Sequence, residues 1–280
     1  MRWVRRGITT LVGLIALAFA ILYGGSAMLM QRAVDAALPR VKASSEPAAI
    51  AEGGRLAALT GCSRCHGLQA QGKIMSNVPY IGHIVAPSLP QVAAQATDGQ
   101  LARAIRLGVG IDARPLYIMP SHSYNALADD DLSRIIGWIR TLPTSAFDVV
   151  GSTPVGVRGR FAILTGLLPD SVDPRKDQAK VRPLDIGRYF TALSCGQCHT
   201  LNGTGEAHDG LATAPPLTVA IRSYDSAALR ALLRTGQGRG ARRLTTMADA
   251  SRAGLAQMSD GEIDAVHAYL AGLGSKRAGR

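Results

Sequence analysis

Aromatic residues make up only 5% of this 280-residue chain, and its basic excess is not gathered on any one module. Lysine and arginine total 31 against 20 aspartate and glutamate, a net charge of +11. Residues 1–45 carry +5 of it, 46–145 +1, 146–180 +1 and 181–280 +4. A nucleic-acid-binding module needs a basic stripe interleaved with stacking aromatics, so no nucleic-acid partner is expected. Cysteine is also scarce: the four are Cys62, Cys65, Cys195 and Cys198, two close pairs with none left over. With both pairs assigned to other chemistry, a structural disulfide is excluded and an apolar core must hold the fold. No stretch alternates apolar and polar residues for long enough to suggest a sheet. That absence points to an all-α protein.

Charge is missing altogether from Gly7 to Gln31, directly after Arg2, Arg5 and Arg6. At about 1.5 Å per residue this run exceeds the roughly 30 Å hydrocarbon core, and the preceding arginines favour a cytoplasmic N-terminus. The expectation is an uncleaved single-pass anchor over residues 1–31 in a bacterial inner membrane, with everything after Arg32 in the periplasm. The alternative is a cleaved signal peptide ending at Ala18-Phe19-Ala20 or Gly25-Ser26-Ala27.

What is present is a repeated motif. Cys62-Ser63-Arg64-Cys65-His66 recurs as Cys195-Gly196-Gln197-Cys198-His199 and uses every cysteine. Two thiols three positions apart reach the two vinyl groups on one porphyrin edge, and the next histidine falls beneath the iron; this is the c-type haem attachment signature. A zinc ribbon would space its pairs by roughly 15–20 residues, and a redox dithiol would need one pair near a strand-helix-strand unit. Two covalent haem c groups are therefore expected.

The repeat extends well past the motif. Gly54-Arg55 and Gly187-Arg188 stand at an offset of 133, as do the motifs. Ala86-Pro87 matches Ala214-Pro215, Arg106 matches Arg234 and Met119 matches Met247 at an offset of 128. Asp131, Ile135, Trp138, Ile139 and Leu142 match Glu262, Val266, Tyr269, Leu270 and Leu273 at an offset of 131. Ordered matches with register changes only in loops imply duplication of one module. The division is a stalk over 32–49, module one over 50–143, a connector over 144–183, module two over 184–274 and a basic tail over 275–280. In module one, helices are expected over Gly54–Leu59, from Thr97-Asp98 to Gly108, and from Asp129 to Pro143. The acidic triplet Asp129-Asp130-Asp131 offsets the last helix dipole. The apolar connector stretch Phe161–Leu168 is expected to pack in the crevice between the modules; a docking or membrane-surface helix is the alternative.

Each module resembles a class I cytochrome c. The resemblance implies a helix before the motif that crosses the C-terminal helix, with Gly54 and Gly187 as the crossing glycines and Trp138 and Tyr269 as the aromatics packed there. The family's aromatic four residues before the first cysteine is replaced by Ala58 and Thr191. It implies His66 and His199 as proximal iron ligands, the carbonyls of Pro87 and Pro215 as acceptors for their ring protons, and Met119 and Met247 as sixth ligands. Met258, just before a Ser259–Glu262 capping box, is assigned to packing opposite Leu127. His122, three residues after Met119, is read as a partly solvated loop histidine, with a swap onto the iron as the alternative, and His83, His208 and His267 as surface or propionate-facing residues.

Iron held by His and Met has no open position, so the implied function is electron carriage rather than catalysis. The pattern resembles the cytochrome subunits that accompany quinoprotein or molybdenum dehydrogenases, which usually carry three haems. The implied donor is a dehydrogenase or quinol-oxidising complex, and the acceptor a terminal oxidase or soluble cytochrome. A dihaem peroxidase and a fixed subunit of a respiratory supercomplex are the alternatives.

Overall fold

The computed structural model describes residues 1–278 apart from 79–80, 146–147, 150, 152, 174, 176–177 and 207–212. Helix α1 (Arg2–Gln31) contains the charge-free run, is long and apolar enough to cross a membrane, and buries only Ser26. The segment that follows is not the free stalk expected from its prolines. Val34 N–H donates to the Ala113 carbonyl at 2.8 Å, Ala43 N–H to the Asp98 carboxylate at 2.8 Å and Ser44 N–H to the Ser133 carbonyl at 3.1 Å. Val41 joins the core at 6% exposure. With three amides bonded to module one and an apolar side chain inserted, the segment is a strap across it.

Module one consists of α2 (Pro47–Leu59), α3 (Cys62–His66), the hairpin β1 (Lys73–Val78) and β2 (Gly82–Ala86), α4 (Leu89–Gln95), α5 (Asp98–Leu107), α6 (Ser121–Tyr124) and α7 (Asp129–Thr141). Helix α2 begins inside the expected stalk because Glu46 caps it, accepting from the Ala48 and Ala49 amides, with Pro47 at its first position. Thr97 and Gln100 form a reciprocal capping box on α5, and Gly108 ends it at φ 66°. On α7, Leu132, Ile135, Ile136 and Ile139 are buried, as the 3.6-residue apolar period requires. The fold is helical, yet β1 and β2 pair antiparallel. This hairpin escaped the sequence reading because its alternation is only a few residues long.

The connector carries α8 (Val157–Leu164). Module two consists of α9 (Ile186–Phe190) running into a π-helical turn over Thr191–Cys195, the two-residue strands β3 (Gly205–Glu206) and β4 (Thr213–Ala214), α10 (Leu217–Ala220), α11 (Ser226–Thr235), α12 (Thr245–Ala253) and α13 (Asp260–Ala278). The expected basic tail mostly continues α13. Phe190 is fully buried, so the aromatic missing at Thr191 stands one residue earlier, at the lip of the π turn.

The crossing glycine also shifts. A Cβ at Gly187 would overlap the Ala265 carbonyl, and in module one the matching overlap, with the Arg134 carbonyl, belongs to Gly53 rather than Gly54. Gly54 instead faces the Trp138 ring, where a Cβ would lie 2.9 Å from two ring atoms. Two adjacent glycines share in module one what Gly187 does alone.

The modules pack on one another, and their buried residues form one continuous cluster. The connector is not in that crevice: α8 packs on the C-terminal end of α1, where Arg160 donates to Ser26 Oγ at 3.0 Å and lies 4.6 Å from the Tyr23 ring centre. Farther on, Ser171 N–H donates to the Leu116 carbonyl at 2.7 Å and Asp173 N–H to the Leu107 carbonyl at 3.0 Å. A Cβ at Gly108 would overlap the Ser171 carbonyl. Among the described connector residues, those at its end reach the module boundary, where Arg182 lies over the Tyr189 and Phe190 rings at 5.8 and 5.9 Å.

Candidate functional site

Gly61 at φ 81° turns the chain from α2 into α3, so Cys62, Cys65 and His66 share one short helix. The His66 Nδ1–H donates to the Pro87 carbonyl at 2.8 Å, and the His199 Nδ1–H to the Pro215 carbonyl at 2.9 Å. Both bonds fix the tautomer that leaves Nε2 free for a metal. Desolvation lowers the His66 pKa, against a smaller rise from the Pro87 bond, so the imidazole is neutral at physiological pH. Desolvation also raises the thiols: Cys62 to about 11, Cys195 to about 12, and Cys65 upward. The four thiols form no disulfide with one another, so each pair is free to react with the two vinyl groups of one macrocycle.

Met119 and Met247 are both half-buried against the core. Met119 lies in the loop before α6, directly after Ile118 at φ 76°. A β-branched residue in the left-handed region is a strained position, of the kind that persists where surrounding structure imposes it. That surrounding structure includes the connector residues 170–173, and Tyr117 forms a bridge with Asp170. Met247 is the third residue of α12. Met258 and Leu127 are each 1% exposed, both just before the C-terminal helix of their module. The capping box holds, with Ser259 N–H donating to Glu262 at 2.7 Å and Glu262 N–H to Ser259 Oγ at 3.2 Å.

The two motifs touch. Arg64 donates to Cys198 Sγ at 3.5 Å, and Gln197, the same motif position in module two, donates to the Thr60 carbonyl at 2.6 Å. Tyr124 OH donates to that same carbonyl at 2.7 Å. A Cβ at Gly254 would overlap the Ala58 carbonyl, so module two sits directly on the end of α2. Sequence reasoning missed this contact. Its only trace is a long polar side chain at one matched position of both motifs, which a solvated surface would explain equally.

Ion pairs lock the contact from both sides. Arg55 reaches Glu262 at 2.8 Å across the boundary. Asp131, at the matched position, is fully buried, accepts from Tyr189 OH at 2.7 Å and pairs with Arg134 at 2.8 Å and with Arg182. Asp129 pairs with the buried Arg106 at 2.5 Å. The acidic triplet thus does more than face a helix dipole. His83 and His122 are exposed. His267 is half-buried against the Tyr224 carbonyl at 3.0 Å, a packing role rather than a surface one. His208 lies outside the described residues.

The sequence model of the cytochrome c family matches residues 50–143 and 185–274. The chain belongs to the cytochrome c family. Its two matched segments make it a dihaem c-type cytochrome, and cytochromes of this kind carry electrons. It is similar to the fructose dehydrogenase cytochrome subunit of Gluconobacter japonicus, 26% identical over 264 residues, covering 84% of this chain and 54% of that protein. It is also similar to the gluconate 2-dehydrogenase cytochrome c subunit of Pantoea cypripedii, 26% identical over 269 residues, covering 82% and 61%. The chain therefore spans between half and two-thirds of the length of these curated relatives. The residues present fit haem c: paired free thiols, imidazoles with a free Nε2, and half-buried thioethers at matched positions.

Proposed function

We propose that this cytochrome is a membrane-tethered periplasmic relay, the electron-carrying subunit or partner of a dehydrogenase, that passes single electrons toward a terminal oxidase or soluble cytochrome. Each bound haem would supply a one-electron Fe(III)/Fe(II) couple. In this reading Cys62, Cys65, Cys195 and Cys198 hold the two macrocycles, His66 and Met119 ligate one iron, and His199 and Met247 the other. The Pro87 and Pro215 carbonyls hold the imidazole rings. The contact between Arg64 and Cys198 carries the proposal, since it sets the attachment edges of the two haem sites side by side and a short gap favours transfer between them. The cytochrome subunits among the relatives support a sugar or sugar-acid dehydrogenase as donor. The anchor reading draws on α1 and the arginines before it.

Two experiments test this. Purification from native membranes in mild detergent should yield a complex with a dehydrogenase subunit whose substrate reduces both haems; a complex in which no bound subunit reduces either haem overturns the donor assignment. The reduced protein should bind carbon monoxide poorly at neutral pH, because both irons have six ligands. Rapid stoichiometric binding at one haem, with peroxide turnover, would favour the peroxidase reading instead.

A further inference from the structure

Helix α8 meets α1 at a definite height. A hydrocarbon core needs about 20 apolar residues, and counting from Gly7 that span ends near Ser26. Ser26 alone on α1 is buried, covered by α8 through Arg160, whose guanidinium also lies over Tyr23. Leu164 closes the contact, 2.9 Å from where a Cβ of Gly25 would stand. The next polar link along the chain is the ion pair of Arg32 with Asp170 at 2.5 Å. It lies about one headgroup layer above Ser26, at 1.5 Å per helical residue.

At that height α8 and the turn that follows it present apolar side chains to the surroundings. Val157, Phe161 and Leu167 are 48%, 53% and 56% exposed, and Val157 and Phe161, four apart, share a face. Between Asp148 and Asp170 there is no acidic residue, whereas Arg158 and Arg160 are both there. Apolar groups beside arginines, without acids, suit the boundary between lipid acyl chains and phosphates.

We propose that α8 and the turn after it are interfacial: Val157, Phe161 and Leu167 enter the headgroup boundary of the periplasm-facing leaflet, while the exposed Arg158 meets lipid phosphates and Arg160 holds α8 on α1. The occupant of this surface is the phospholipid bilayer, continuous with the anchor α1, and the inference rests on that anchor reading. Its consequence is orientation. The strap over 32–46 and the connector bonds at 170–173 tie module one to α1, so a second membrane contact at α8 holds the haem modules at one angle to the bilayer.

The full haem-loaded chain, placed in nanodiscs containing a phospholipid with a diazirine high on one acyl chain, is irradiated, digested with trypsin and mapped by mass spectrometry. Adducts are expected on α1 and also on the peptide from Phe161 to Arg175. Phe161→Asp should lower the adducts on that peptide several-fold and leave those on α1 unchanged. Adducts on α1 with none on residues 157–168 would overturn the inference while the anchor reading stands; adducts on neither would overturn both. Absence of lipid adducts on α8, with protection from hydrogen exchange only when a dehydrogenase subunit is bound, would assign the face to a protein and also overturn the inference.

Discussion

Replacing Asp131 with asparagine tests whether the two modules fold as one body. The carboxylate is 1% exposed and accepts from Tyr189 OH at 2.7 Å, Arg134 at 2.8 Å and Arg182 Nε at 2.9 Å. Asparagine keeps the shape but removes the charge and points an amide N–H₂ at one of three donors. Breaking a fully buried pair costs about 3–5 kcal/mol. Arg134 and Arg182 are 33% and 32% exposed, so their guanidinium groups can recover water and the cost falls to about 2–3 kcal/mol. At about 2–4 °C per kcal/mol for a protein of this size, calorimetry should show a Tm lowered by about 4–12 °C. Tyr189→Phe alone, which removes one hydrogen bond to a charged group, should cost about 1.5–3 kcal/mol. Because the buried residues of both modules form one cluster, the weakened protein should still melt in one transition, or split into two only as module two separates. A Tm shift under about 2 °C with unchanged cooperativity would refute the interface as a source of stability.

Met247→Leu should remove the sulfur-to-iron charge-transfer absorption of one haem and lower its potential, since the thioether favours ferrous iron; Met258→Leu should cost under about 1.5 kcal/mol and leave the spectrum alone. Acid should loosen the module boundary. Burial pulls the Glu262 carboxyl upward, but the hydrogen bonds and charge of Arg55 with the Ser259 amide outweigh it, and its pKa falls below the ordinary 4.5. A carboxyl lowered in the folded state contributes its full stability above its unfolded value, and loses it as pH falls through the folded value. Denaturant midpoints should therefore be steady near neutrality and drop below about pH 4.5, a drop that Glu262→Gln should reduce. Gly53→Ala should cost about 1–3 kcal/mol by forcing α2 off α7, whereas the same change at Gly54, which meets a side chain that can shift, should cost less; equal costs would contradict the crossing geometry.

Much of this fold was legible because the sequence states it twice. The motifs, the capping residues Thr97 and Ser259, and the apolar faces on Ile135 and Val266 are local patterns with a fixed period, and they became elements at those positions. Gly53 was overlooked because counting back from the cysteines assumes a constant helical register, which the π turn at Thr191–Cys195 breaks; the same break hid Phe190. The strap over 32–46 carries the turn-forming Pro39, and its role lies in backbone amides bonded to distant acceptors, which composition does not record. The apolar connector was read as filler for the crevice since an apolar stretch must be covered; which surface covers it depends on chain reversal after module one. The contact between Arg64 and Cys198 is tertiary in the same sense, for nothing local says that two copies of a motif face one another.

The relay is tested most directly by injecting one electron. In the Met247→Leu variant, whose second haem should be spectrally distinct and lower in potential, a fast sub-stoichiometric photoreduction of the oxidised protein should place electrons on both haems. The account predicts first-order transfer from the second haem to the first at a rate independent of protein concentration. A rate that rises in proportion to concentration would mean that the haems exchange electrons only through collisions, and would contradict it.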